Sequence, residues 1–310
     1  MIIMNKEKND ALFCNIETGI CEVPDNQSVN EETDISSKVK PIRVLYFTDP
    51  ICSSCWGIEP QLRKLKLEYG EYFDIEYRMG GLLAGWNTYG GSDVSNPNDV
   101  AVHWEEAGAH YEMPIDGDVW IEDPLSSSYP PSIAFKAAQL QGGEKALDFL
   151  RRIKEMVFLE KKNIEKWENL EAAAHQVGLN VEQFKIDFAG KGKELFDQDL
   201  ALAGQLGVRG FPTIFFTDAD DNRFKVYGTK PYESYEQALL KLYPEAVKQS
   251  IDIDFENVFI HYPTLTSKEF GLLTNRSKGD AEEFLKGLYE QGKIGRYVSK
   301  NGVLWTKNKN

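Results

Sequence analysis

The sequence predicts an α/β fold in which a strand, helix and second strand are parted from a later hairpin by a long helical insertion, with a small α+β module after it. Three observations predict this. Strand-like runs at 42–47 and 74–79 flank a helical pattern at 56–69, where Ile58, Leu62, Leu65 and Tyr69 recur at helical spacing. Helical periodicity then fills most of the interval from about 132 to 205, and strand-like residues return at 213–216 and 224–227. With 310 residues, 42% of them hydrophobic, the chain can bury more than one core, so an appended module is expected.

Taken in order, residues 1–40 read as a flexible segment, because the stretch after Glu22 is polar and acidic with few apolar anchors. The folded body is expected from Pro41, and the two strands of its first unit should run parallel through a right-handed crossover. Residues from 80 to about 131 read as Gly-rich and aromatic loop. Candidate helices follow at 132–141, 143–158, 166–177, 181–189 and 192–205, with Asn180 as an N-cap. The run Asp218-Ala219-Asp220-Asp221-Asn222 folds the next two strands into an antiparallel hairpin, and a helix from Tyr232 to Leu242 closes the body at about 245. In 246–310, Thr266-Ser267-Lys268-Glu269 has the form of a capped helix start, 278–291 is amphipathic, and strands at 294–298 and 303–306 flank a Lys-Asn-Gly turn. Helix, helix, hairpin is the outline of a winged-helix module.

Charge narrows the partners. The 35 basic and 49 acidic residues give a net charge of -14, which opposes general attraction to nucleic acid or anionic membrane. The terminal module is nearly balanced, so its outline does not bring the basic surface that DNA requires. No run approaches the roughly 20 apolar residues that span a bilayer. The start MIIMNKEKNDALFC lacks the apolar core of a secretory leader, so a cytoplasmic protein, or one whose leader precedes this numbering, is expected. Neither a nucleic acid nor a membrane partner is expected.

The four cysteines, Cys14, Cys21, Cys52 and Cys55, all lie in the first fifth of the chain, where they cannot staple a domain of this size. Such clustering points to redox chemistry or metal binding. One pair supplies half of a structural zinc site, and recruiting all four would occupy the redox thiols, so no metal is expected. Cys52-Ser53-Ser54-Cys55 stands where a strand gives way to a helix, with Asp49 and Pro50 marking the turn. Only a thiolate attacks a disulfide, and the unpaired N–H groups of a helix start stabilise one, which makes Cys52 the attacking thiol and Cys55 the resolving thiol. A second mark lies downstream. Gly210-Phe211-Pro212-Thr213 directly precedes a strand, a position that suits a cis bond before Pro212.

Strand, CxxC, helix, strand, helical insertion, Phe-Pro-Thr and hairpin together resemble, over 41–245, the thioredoxin fold of the DsbA family. The resemblance implies a DsbA-like thioredoxin domain followed by a winged-helix-like α+β module. It also implies that Cys52 is the nucleophile, that Cys55 resolves, and that the cis-proline Pro212 packs across the pair. Phe211 would then offer its backbone to an extended substrate. Trp56 and Thr213, beside the two motifs, complete the expected substrate-binding set, Trp56 being read also as helix-start packing. The implied activity is that of a protein-disulfide oxidoreductase or isomerase acting on protein or low-molecular-weight disulfides, with no cofactor beyond its own redox-active disulfide. The runs DGDVWIEDPLSSSYPPSIAFKAAQLQG, FLRRIKEMVFLEKKNI and GVLWTK are similar to a cytoplasmic branch of the family. That branch holds dithiol-disulfide isomerases and the ClpXP adaptor that delivers the Spx regulator for degradation. The likeness implies a cytoplasmic location and a second function, an adaptor that presents a regulator to ClpXP without redox turnover.

The strand under the pair departs from the family in carrying Tyr46 where redox thioredoxin folds commonly hold a buried acid. Proton transfer from Cys55 is then expected to need water or another acid, with Asp49 read as a turn cap and Glu59 as solvated. Cys14 and Cys21 bracket a tight loop and are a candidate secondary dithiol able to exchange with the first, provided their Cα atoms come within about 7 Å. His103, His110, His175 and His261 share no ligand spacing and receive no role. Trp86, Tyr89, Trp104, Tyr111 and Trp120 are expected to pack the insertion, with a peptide groove as the alternative.

Overall fold

The run from Ile42 to Thr48 is buried over most of its length, as a central strand must be, and the body is arranged about it. The computed structural model describes residues 13–15, 20–22, 40–87 and 96–308. The first elements are β1 (Phe13–Asn15), β2 (Ile20–Glu22), β3 (Ile42–Thr48), α1 (Ser53–Gly57), α2 (Glu59–Tyr69) and β4 (Phe73–Met79). The insertion is α3 (Pro97–Tyr111), α4 (Val119–Glu122), α5 (Tyr129–Gln139), α6 (Gly143–Leu159), α7 (Trp167–Gln176), α8 (Val181–Ala189) and α9 (Lys191–Gln205). Then come β5 (Thr213–Thr217), β6 (Arg223–Tyr227) and α10 (Tyr232–Leu242). The terminal module is α11 (Phe255–His261), β7 (Thr264–Thr266), α12 (Ser267–Leu273), α13 (Lys278–Glu290), β8 (Ile294–Ser299) and β9 (Gly302–Lys307).

The main sheet has the order β1-β2-β6-β5-β3-β4, with β3 and β4 parallel and β5 antiparallel to both β3 and β6. The predicted parallel unit and antiparallel hairpin are thus neighbours in one sheet. One face packs on α2 and α10 through Val44, Leu62, Leu65, Ile214, Tyr235 and Leu239. The insertion has a separate core around Trp104, Trp120, Phe135, Phe149, Phe158 and Phe184.

Four parts of the chain differ from expectation. Residues 1–40 were expected to be flexible throughout, yet β1 and β2 extend the sheet beyond β6, with Cys21 opposite Lys225. The edge of β6 would otherwise present unpaired backbone groups, which such a hairpin covers. The stretch read as loop contains α3, whose start is set by the Asn96 side chain accepting from the N–H groups of Asn98 and Asp99 and by Pro97 in the first turn. The helix after the CxxC begins at Ser53 rather than 56, and α2 restarts after Ile58 because Pro60 has no N–H to continue the first ladder. In the module, α11 and β7 precede the expected helices, so the order becomes helix, strand, helix, helix, strand, strand, and β7 joins β9 and β8 in a sheet.

The module has its own core of Leu265, Phe270, Leu273, Leu285 and Trp305, each side chain contributing about 1.5–3 kcal/mol through burial. It is also fastened to the body. The capping box expected at Thr266 and Glu269 forms, and the same Glu269 faces Arg151 of α6 and Arg63 of α2. Leu304 enters the core of the insertion, and the Arg63 guanidinium donates to the Thr264 carbonyl at 2.8 Å.

Candidate active site: a buried dithiol between sheet and insertion

The turn from β3 into α1 is held by one carboxylate. Asp49 is fully buried and accepts from the N–H of Ile51 at 3.0 Å, the N–H of Leu82 at 2.7 Å and the hydroxyl of Ser128 at 2.8 Å. It therefore caps the turn, as expected, and also ties down the loop after β4. Burial pushes its pKa up to about 6 against those stabilising hydrogen bonds. The turn makes Cys52 the N-cap of α1, where its sulfur accepts from the Cys55 N–H at 3.2 Å. Cys52 is 5% exposed and Cys55 is fully buried, so only the first thiol borders the groove outside.

That groove is a cavity of about 170 Å³ lined around Cys52 by Phe211, Leu82, Trp86, His103, Trp104 and Trp120. The aromatic residues of the insertion thus both pack its core and wall the dithiol, while Tyr89 lies outside the described residues. Phe211 reaches the groove through the peptide bond to Pro212, which is cis. Its ring fits only because residue 80 is glycine: a Cβ there would lie 1.9 Å from the ring. Two expected substrate contacts are corrected. Thr213 is fully buried and donates to the Gly210 carbonyl at 2.7 Å. Trp56 is fully buried, donating its indole N–H to the Pro114 carbonyl at 3.1 Å and stacking on Phe158. Both are packing residues, since neither presents surface to a substrate.

Beneath Cys55, on the same face of β3, stand Tyr46 and Thr48, both fully buried. Neither hydroxyl closes a hydrogen bond. The expectation that Glu59 is solvated is corrected: its side chain is 18% exposed and pairs at 2.7 Å with Lys154, itself 1% exposed. A buried ammonium needs a counter-charge, and Glu59 supplies it across the gap between α2 and α6. Burial opposes the Glu59 carboxylate, but Lys154, Arg63 and Arg151 outweigh it and hold its pKa below the usual range.

The two thiols titrate as a unit. Burial pushes the Cys52 thiol up, and the adjacent Cys55 and Asp49 add to this. Burial acts the same way at Cys55, yet the Cys52 thiol, the charge of Lys154 and the hydroxyls of Thr48 and Tyr46 outweigh it and hold Cys55 below its ordinary value. Cys52 stands at the helix start and beside the groove, with Cys55 behind it. Lys154 was missed, although a visible signal marks it. It occupies a core position in the α6 stripe Leu150, Ile153, Lys154, Val157 and Phe158, where a lysine demands a partner.

The other cysteine pair is placed elsewhere. The register of β1 and β2 sets Cys14 directly opposite Cys21, which corresponds to a Cα separation of about 4.5–5.5 Å and meets the condition for a bridge. But β2 stands three strands from β3, about 14 Å at the usual spacing, so the structure does not bring the two pairs together.

Comparison with known proteins agrees with this geometry. Residues 45–237 match the family model described as thioredoxin. The cytosolic disulfide reductase DsbM of Pseudomonas aeruginosa has the same fold, with a TM-score of 0.52 and 22% identity over 64% of this chain and 99% of that one. The ClpXP adapter protein SpxH of Halalkalibacterium halodurans is 35% identical over 297 residues, covering 94% of this chain and 96% of that protein. The SpxH adapter of Bacillus subtilis is 32% identical over 86% of this chain and 89% of its own length. The chain belongs to the thioredoxin-fold, DsbA-like family that includes these adapters. Among the described residues no helix is long and apolar enough to cross a membrane.

Proposed function

We propose that this protein is an adapter for the ClpXP protease that binds a regulator, Spx in the branch it resembles, and presents it for degradation in the cytoplasm. One observation carries the reading. The match to the SpxH adapter runs through 94% of the chain and so takes in most of the module at 246–310, which lies outside the thioredoxin match at 45–237. An adapter needs two faces, one for the regulator and one for the protease, and the fastened module supplies surface beyond the thioredoxin body. The test is binding with purified components. The immobilised protein should retain Spx and ClpX each alone and together, and retention of neither would sink the proposal.

A second reading is favoured by the site itself: the dithiol is competent for exchange with protein or low-molecular-weight disulfides. The Cys52 thiolate attacks a disulfide RSSR′, forming a Cys52–SR bond and releasing R′S⁻, which takes up the proton lost by Cys52. The Cys55 thiolate then attacks the Cys52 sulfur, forming the internal disulfide and expelling RS⁻. The substrate gains two electrons and the pair loses two. The geometry supports this order, because Cys52 borders the groove and Cys55 lies behind it. Insulin reduction by wild type, Cys52→Ser and Cys55→Ser measures it directly. Equal inertness of all three would remove this reading and leave the adapter.

A further inference from the structure

We propose that the hydroxyls of Tyr46 and Thr48 replace the missing acid beneath the pair by donating hydrogen bonds to the Cys55 thiolate whenever that sulfur is freed or attacks. The inference rests on the dithiol-exchange reading and assigns two further catalytic residues to it.

The geometry is unusual in what it leaves unpaired. Tyr46 and Thr48 are fully buried, lie two residues apart on the face of β3 that underlies α1, and have no hydrogen-bond partner for either oxygen. A buried hydroxyl without a partner costs about 1–3 kcal/mol, so two side by side next to a reactive sulfur imply a partner that arrives in another state. The thiolate of Cys55 is that partner. It forms when substrate thiol attacks Cys52 in the internal disulfide and Cys55 leaves, and again when Cys55 attacks the mixed disulfide. A leaving thiolate departs faster as its pKa falls, and donated hydrogen bonds lower it.

The hydroxyls act as donors and not as bases. Burial pushes the Tyr46 phenol well above its ordinary value, and the nearby Cys55, Glu59 and Cys52 raise it further despite the Thr48 hydroxyl. In the resolving step the Cys55 proton therefore leaves with the expelled RS⁻, and both hydroxyls keep theirs. The charged and titratable groups around Cys55 are Cys52 on α1, Lys154 on α6 with its partner Glu59 on α2, Tyr235 on α10, and Asp49 beyond Cys52. Of these Lys154 is the cation, and its charge is already shared with Glu59 at 2.7 Å; the Cys52 sulfur is bonded to substrate or to Cys55 in both steps and has no proton to give, which leaves direct donation to the two hydroxyls.

The test uses the full chain in Tyr46→Phe, Thr48→Val and double variants, each also in a Cys52→Ala background. Ultraviolet absorbance of the thiolate is followed against pH, and the resolving step is followed with oxidised glutathione as the probe disulfide. In the Cys52→Ala background the titration of Cys55 should move up by about one unit in the double variant, and resolution at neutral pH should slow about tenfold. The first attack by Cys52 should stay within about twofold, since its sulfur keeps the Cys55 N–H. Thr48→Ser retains the hydroxyl and should behave as wild type. An unmoved Cys55 titration in the double variant, or in the folded single variants should the double not fold, overturns the inference. If oxidised glutathione forms no Cys52–Cys55 bond in wild type, the exchange reading fails instead, and the titration still reports on the hydroxyls independently.

Discussion

The guanidinium of Arg151 forms two hydrogen bonds with the carboxylate of Glu269, at 2.8 and 3.1 Å, and its carbon lies 4.4 Å from the centre of the Trp56 ring. Arg151 belongs to the insertion, Glu269 to the terminal module, and Trp56 follows Cys55 directly. A single side chain therefore joins the module to the packing directly behind the dithiol.

Breaking that join should be costly. Glu269 is fully buried, and Arg151→Met leaves its carboxylate with Arg63 at 3.3 Å as its one cation beside the capping N–H of Thr266. Removing one partner of a buried pair costs about 3–5 kcal/mol. Urea unfolding should show a loss of that size, and it should be partly recovered when Glu269→Gln is added, because one stranded charge is then gone while Glu155, with which Arg151 also pairs at 2.8 Å, remains.

A surface contact between the same parts should behave differently. Lys300 of the module reaches Glu105 at 3.0 Å and Asp118 at 2.8 Å, but it is 45% exposed. Screened pairs of this kind contribute about 0–1 kcal/mol. Lys300→Ala should shift the urea midpoint slightly, far less than Arg151→Met, and the little it loses should shrink as salt is raised.

Two buried carboxylates contribute to the pH dependence with opposite sign. Burial acts against the Glu269 carboxylate, but Arg151 and Arg63 outweigh it and hold its pKa below the usual range. Its stabilisation is present above the unfolded value of about 4.3 and is lost as pH falls through the lower folded value. Asp49 has the reverse sign, because burial lifts it to about 6. The stability it gives is complete below about 3.9 and is lost as pH rises through about 6, a change on the order of 3 kcal/mol. Subtracting the stability curve of Asp49→Asn from that of wild type should expose this fall between pH 4 and 6, and a flat difference would remove Asp49 as its source.

Gly80→Ala should reshape the groove without touching a thiol. The added methyl meets the Phe211 ring at 1.9 Å, so the ring must move or the loop must shift. Overpacking of this kind costs about 1–3 kcal/mol. Thermal unfolding should fall accordingly, and exchange with an aromatic peptide disulfide should slow more than exchange with oxidised glutathione, which needs less of the groove.

Much of this was legible in the sequence, for physical reasons that also mark where legibility ended. The strand-to-helix turn at Cys52, the Phe211-Pro212 loop and the five helices from α5 to α9 announce themselves through local spacing. So does the capping box at Thr266 and Glu269. Helix α3 was hidden by its aromatic, Gly-flanked surroundings, though Asn96-Pro97 is a helix start. Trp56 and Thr213 adjoin the motifs in sequence yet point into the core, because neighbours along a helix or strand face different ways. The Lys154–Glu59 pair joins residues 95 positions apart, and no local pattern specifies such a partner, only that a lysine on an apolar stripe must have one. The pairing of Cys14 with Cys21 depended on a register that the sequence left open.

The most direct test of the adapter assignment is reconstituted degradation of Spx by purified ClpXP, with and without this protein. Wild type should accelerate loss of Spx at least several-fold, and the Cys52→Ser/Cys55→Ser double variant should do so to a similar extent, since presentation needs surfaces and not turnover. An unchanged rate in the presence of the folded wild-type protein would contradict it.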